Sequence, residues 1–206
     1  MSIIIEGNDL YSMPSAENPA GGVLYRTGKR IKSRLDAGHI VTPREKRNML
    51  IGEVGEAAVM ADFKNRGFNI TLLSWEEFSD NRNETAIDII AIKDQLVRKV
   101  QVKASENGNR SLRNFNMSAY ERANIDSIVF VAARELDRLD GTCYFECEIT
   151  SQLSPRQIRM MSCWERKDAG WQHSDNADFI KNWNLQSARK GSKKLLTPSD
   201  VWDLTC

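Results

Sequence analysis

A carboxylate, an amide and an ammonium stand near one another in the middle of this sequence. Asp88 lies amid Ile87, Ile89, Ile90 and Ile92, and Gln101 and Lys103 follow on the next apolar stretch. A carboxylate isolated among isoleucines is costly unless it is paired or holds a metal ion. Gln101 and Lys103 are two residues apart, so in a strand both project to the face opposite Val100 and Val102. If the two stretches pair as a hairpin, Asp88 comes beside Gln101 or Lys103, with the register left open. Upstream, Glu53 and Glu56 lie three apart, neighbours on a helix surface. Glu56 is set between Gly55 and Ala57-Ala58-Val59, small residues that let a helix approach a sheet closely. An Asp, a Glu, an amide oxygen and water make the oxygen-rich shell that Mg²⁺ prefers, and a neighbouring lysine eases hydroxide formation or steadies charge at phosphorus. That is equipment for phosphodiester hydrolysis. A plainer reading stands beside it, in which Asp88 and Lys103 form a cross-strand ion pair while Gln101 and Glu56 are solvated.

Several elements must position these side chains. Apolar residues from Leu50 to Phe63 recur at helical spacing, which predicts a helix over 48–66 with Gly67 as its stop. Phe68 to Trp75 reads as a strand and Asn81-Arg82-Asn83 as a turn. Ala86 to Ile92 and Leu96 to Lys103 read as the arms of a hairpin turning at Lys93-Asp94-Gln95. Met117 to Asn124 suggests a short helix, Ser127 to Ala133 a buried strand, and Cys143 to Ile149 a further strand. This order implies an α/β layer around a mixed sheet, because the hairpin is antiparallel whereas helical crossovers favour parallel neighbours.

The run Gly52-Glu53-Val54-Gly55-Glu56-Ala57-Ala58, then Ile87-Asp88, then Val100-Gln101-Val102-Lys103 resembles the PD-(D/E)XK nuclease superfamily, over roughly residues 48–131. The resemblance implies a restriction-endonuclease-like αβββαβ core, with a mixed central sheet flanked by helices and additions at both termini. By that division residues 1–47 are an N-terminal arm, 48–150 the nuclease core and 151–206 a C-terminal extension that packs on the core or reads substrate. It also implies a Mg²⁺-dependent endonuclease, with Mn²⁺ as a substitute. Asp88 would be the central metal ligand, Glu56 the helix carboxylate with Glu53 competing for that role, Gln101 the occupant of the acidic slot, and Lys103 the catalytic lysine. A main-chain carbonyl near Val102 would complete the protein's share of the shell. Gln101 departs from the acidic residue usual in the superfamily's motif; its amide still offers an oxygen but removes one negative charge. DNA is the implied partner, cut by a homodimer with one site per chain. A sequence-specific, restriction-like enzyme is the first expectation and a structure-specific phage or recombination nuclease the second. An inactive nuclease-fold DNA-binding module and an unrelated α/β protein acting through protein contacts are the alternatives from other classes.

The wider composition limits where nucleic acid could bind. The chain has 206 residues, 29 basic and 28 acidic, so its net charge of +1 leaves any nucleic-acid surface local. The stretch from Arg26 to Arg47 carries such an excess. Arg26, Lys29, Arg30, Arg44 and Arg47, with Arg110 and Arg113 in a later polar loop, are candidates for contacts to the DNA backbone. Four tryptophans, Trp164, Trp171, Trp183 and Trp202, interleave with basic residues beyond Thr150. Cys143, Cys147, Cys163 and Cys206 are too few for a disulfide scaffold, which favours a reducing, cytoplasmic setting. With His173 they match no zinc spacing. His39 and His173 belong to no catalytic motif, and Gly21-Gly22 and Gly28 lack the Lys-Ser/Thr ending of a phosphate-cradling loop. No apolar run approaches the length of a membrane span.

Overall fold

The computed structural model describes residues 2–13, 15, 18, 21–72, 87–106, 124–160, 164–167 and 170–173. Among them are β1 (Ser2–Ile5), α1 (Asn8–Tyr11), α2 (Val23–Asp36), α3 (Pro43–Asn65), β2 (Asn69–Leu72), β3 (Ile89–Lys93), β4 (Leu96–Ser105), β5 (Ser127–Asp137), β6 (Cys143–Leu153), α4 (Pro155–Met160), β7 (Trp164–Lys167) and β8 (Gly170–His173). The result is a mixed α/β fold. Six strands form one sheet in the order β1-β6-β5-β4-β3-β2, and β7 and β8 pair by themselves. In the large sheet only β4 and β5 run parallel; the other neighbours are antiparallel. The mixed sheet expected from the order of elements is therefore present. None of the described helices is long and apolar enough to cross a membrane.

α3 lies against the sheet and α2 packs on α3. The helix begins at Pro43, seven residues before the apolar periodicity starts at Leu50, because its first turn is polar and is fixed by a capping box instead. The Thr42 hydroxyl accepts from the Glu45 N–H at 3.2 Å, and the Glu45 carboxylate accepts from the Thr42 N–H at 2.9 Å. Pro43 at the first helical position adds a preset φ. From the apolar stripe, Ile51, Val54, Ala58 and Phe63 enter the core beside Ile89, Val100, Val129 and Val131 of the sheet. β5 is buried on both faces, since Ile128 and Phe130 are as inaccessible as Val129 and Val131. That explains its unbroken apolar run.

One contact sets the distance between helix and sheet. A Cβ added to Gly55 would lie 2.3 Å from the Cβ of Ala104 in β4, where ordinary carbon contacts need about 3.5–4 Å. Only glycine at this position lets α3 come so near β4.

The hairpin β3–β4 matches the sequence expectation, with sharper edges. Its turn is the pair Asp94-Gln95, both left-handed at φ 47° and 71°, the geometry whose twist matches the flanking strands. Asp88 lies just before β3 rather than within it. Two further segments carry elements that the sequence pattern did not mark. The N-terminal stretch supplies an edge strand, with Ile3 and Ile5 buried where β1 pairs with β6, as well as helix α2. Beyond Thr150, where the sequence pattern assigned no elements, the chain completes β6 and forms α4, β7 and β8. The turn at 81–83, most of the helix expected over 117–124, and residues 174–206 with Trp183 and Trp202 lie outside the described residues.

Candidate active site

The site is built at the point where β3 begins. The Asp88 N–H donates to the Val100 carbonyl at 2.9 Å, continuing the ladder one step beyond the Ile89–Val100 pair and placing Asp88 opposite Gln101. Asp88 Oδ2 accepts twice, from the Val102 N–H at 2.7 Å and from Gln101 Nε2. Gln101 Nε2 also donates to the Val102 carbonyl at 3.1 Å. Thus the Asp88 carboxylate and the Val102 carbonyl both face a single nitrogen atom. Sequence reasoning assigned the oxygen of the Gln101 amide to this centre, whereas the structure turns its nitrogen inward, because both neighbours are acceptors and only an N–H satisfies them. Lys103 is half-buried on the same strand, and its charge favours the ionised form of Asp88.

The second carboxylate comes from α3. Glu56 is partly covered and lies within electrostatic reach of Asp88, Glu53, Arg30 and Arg26. The close approach allowed by Gly55 positions this turn of the helix. Glu53, one turn earlier, has a different role. Its side chain is only 4% exposed, and both its oxygens are taken by α2: Arg26 Nε donates to Oε2 at 2.7 Å and Arg30 Nη1 to Oε1 at 3.0 Å. The same Arg30 nitrogen stands 3.8 Å from Glu56 Oε1. These two arginines are the part of the site that sequence reasoning missed as such. The signal was their spacing of four residues, which aligns them on one face of a helix.

Burial raises the proton affinity of Asp88 and Glu56. Desolvation pushes Asp88 up to about 6, against the opposing pull of Lys103 and the Val102 N–H. Glu56 is driven well above the usual carboxylate range by desolvation first and then by Glu53 and Asp88. Both shifts arise first from loss of water around the carboxyls, which Lys103 and the two arginines offset only in part. The donor set fits a hard divalent cation held by Asp88, Glu56 and the Val102 carbonyl, with water filling the rest of its shell. Among the described residues no three His, Cys, Asp or Glu side chains gather to hold an ion by themselves, in keeping with the engagement of Glu53 by arginines.

The candidates for backbone contacts divide. Arg26 and Arg30 point into the site, and Arg47 pairs with Glu106 and Glu135 while lying over the Phe145 ring. Lys29, over the Tyr25 ring, and Arg44 are exposed. Arg110 and Arg113 lie outside the described residues. Cys143 and Cys147 are free thiols on β6, and burial pushes Cys147 up to about 12, as in an inert core thiol.

The raised affinity of Asp88 predicts how stability varies with pH. Its carboxyl holds the proton more tightly folded than unfolded, so its contribution is fully present below about pH 4 and is lost as pH rises through 6. In EDTA, lowering the pH from 7 to 5 should therefore favour the fold of the unaltered chain by about 1 kcal/mol relative to Asp88→Asn. Paired thermal melts measure this; identical pH responses of the two proteins would refute it.

Comparison with known proteins finds no family model that matches the chain, and neither a curated protein nor a solved structure that matches it.

Proposed function

We propose that this chain is a divalent-metal-dependent DNA endonuclease with a core of the PD-(D/E)XK type. The observation that carries the reading is the convergence of the Asp88 carboxylate and the Val102 carbonyl on the Gln101 amide nitrogen, with Glu56 brought near by the Gly55 contact. The order helix, three antiparallel strands, then a strand parallel to the third also supports it. A cation bound by Asp88, Glu56 and the Val102 carbonyl would supply Lewis-acid charge beside the phosphorus. With such a cation bound, Asp88 and the Val102 carbonyl would no longer call for an N–H donor, and Gln101 would serve the site by presenting its amide oxygen in place of its nitrogen. Lys103 orients the attacking water and stabilises charge at the phosphate. In-line attack forms the new P–O bond as the bond to the 3′ oxygen breaks, leaving a 5′-phosphate. A double-strand cut with one site per chain calls for two copies, and restriction-like specificity is the preferred form of the activity.

Incubation with supercoiled and linear plasmid in Mg²⁺, Mn²⁺ or EDTA tests the proposal. Metal-dependent cutting is expected, with discrete bands for a sequence-specific enzyme and preferential cutting of junctions or flaps for a structure-specific one. A second reading rests on Gln101, whose inward nitrogen suits a nuclease fold that binds DNA without cutting it. Binding at low salt with no cleavage in any metal would favour that module. Neither binding nor cleavage would remove DNA from the account.

A further inference from the structure

The site contains its own cations. Among the described residues gathered there, three carboxylates, Glu53, Glu56 and Asp88, stand with three positive side chains, Arg26, Arg30 and Lys103. Glu53 is nearly dry, and a buried carboxylate demands partners. α2 provides them twice, through Arg26 and Arg30 one helical turn apart. Arg30 does more than serve Glu53. Its Nη1 lies 3.0 Å from Glu53 Oε1 and 3.8 Å from Glu56 Oε1, the first a hydrogen bond and the second an ion pair without one. The guanidinium passes beside Gly52 of α3, where an added Cβ would make an ordinary contact with Nη1 at 3.7 Å. Arg30 is thus seated between Glu53, which anchors it, and Glu56, whose proton affinity Asp88 raises.

We propose that Arg30 is a positioning residue that acts as the resident counter-ion of Glu56, and that a divalent cation entering the site competes with it. The inference rests on the metal-dependent reading above. A cation bound to Glu56 meets the guanidinium at close range, and like charges separated by a few ångströms in a partly dry site repel strongly. Arg30 therefore keeps the carboxylates compatible with a folded, metal-free site and weakens their hold on metal. Arg26, which reaches Glu53 and the Gly21 carbonyl, retains Glu53 when Arg30 is changed.

Calorimetric titration with Ca²⁺ and Mg²⁺ in the absence of DNA tests the competition in the full chain and in Arg30→Gln and Arg30→Lys. Arg30→Gln should bind cation about tenfold tighter. Arg30→Lys, which keeps the charge, should bind within about threefold of the unaltered chain. A stability cycle in EDTA supplies a metal-free readout, in which Arg30→Gln should cost less in a Glu56→Gln background than alone. Unchanged or weaker cation binding by Arg30→Gln, with binding intact in the unaltered chain, overturns the competition alone. Additivity in the cycle overturns the counter-ion role. Failure of both the unaltered chain and Arg30→Gln to bind either cation overturns the metal-dependent reading and the competition with it.

Discussion

Asp88→Asn is expected to lower metal-dependent DNA cleavage by about a thousandfold or more while leaving the chain folded. The loss follows from removing a charged oxygen at the centre proposed to hold the cation. The preserved fold follows from the hydrogen bonds. The Val102 N–H and the Gln101 amide both donate to the same oxygen, Oδ2, so the single carbonyl oxygen of asparagine can accept both. The substitution also removes the desolvation that pushes the aspartate up to about 6, so the metal-free protein should melt no lower than the unaltered one at pH 7.5. Lys103→Ala should abolish cleavage to a similar degree, but it withdraws the charge that favours ionised Asp88 and so raises that carboxyl further. Plasmid cleavage, binding of labelled duplex in Ca²⁺ and thermal melts separate these effects. Full activity in Asp88→Asn would remove the proposed site.

The second large effect belongs to Gly55. Gly55→Val forces a branched side chain against Ala104, where even a single Cβ would lie 2.3 Å from its neighbour. The helix must withdraw by more than an ångström, and overpacking of this severity costs about 3 kcal/mol or more. Gly55→Ala is milder, since alanine returns up to about 1 kcal/mol through helix propensity. It still shifts the turn of α3 that carries Glu56, and if Glu56 acts in the proposed reaction such a displacement should cost about a hundredfold in rate. The obstruction is one methyl group, so Gly55→Ala with Ala104→Gly should recover much of the lost activity and stability. Denaturant unfolding with cleavage assays on the single and double variants checks this. A Gly55→Ala chain as stable and active as the parent would show that the contact does not set the site.

The hairpin and the helix were legible because their signals are local. Alternating isoleucines, a polar turn and a 3.6-residue stripe are properties of short windows, and they place Gln101 and Lys103 on β4 and Glu56 on α3, with Asp88 one residue short of β3. The start of α3 was missed although Thr42-Pro43-Arg44-Glu45 spells a capping box, because the apolar stripe begins only at Leu50. The engagement of Glu53 was not legible for a different reason. Arg26 and Arg30 precede it by more than twenty residues, and nothing in their own neighbourhood distinguishes a guanidinium turned inward from one facing solvent. Whether Gln101 presents nitrogen or oxygen was equally hidden, since the choice belongs to its neighbours across the hairpin.

The pairing of β1 with β6 has a consequence during synthesis. Ile5 meets Phe145 across the sheet, so an early strand waits while some 140 residues are added before its partner exists. At ribosomal speeds of about 5–20 residues per second, that delay is roughly 7–28 s. The α3–β4 unit that carries the acidic residues can assemble within this interval, since its last strand ends at Ser105. The nascent chain therefore completes the part of its fold that carries Glu56, Asp88, Gln101 and Lys103 before it can close the β1 edge of the large sheet.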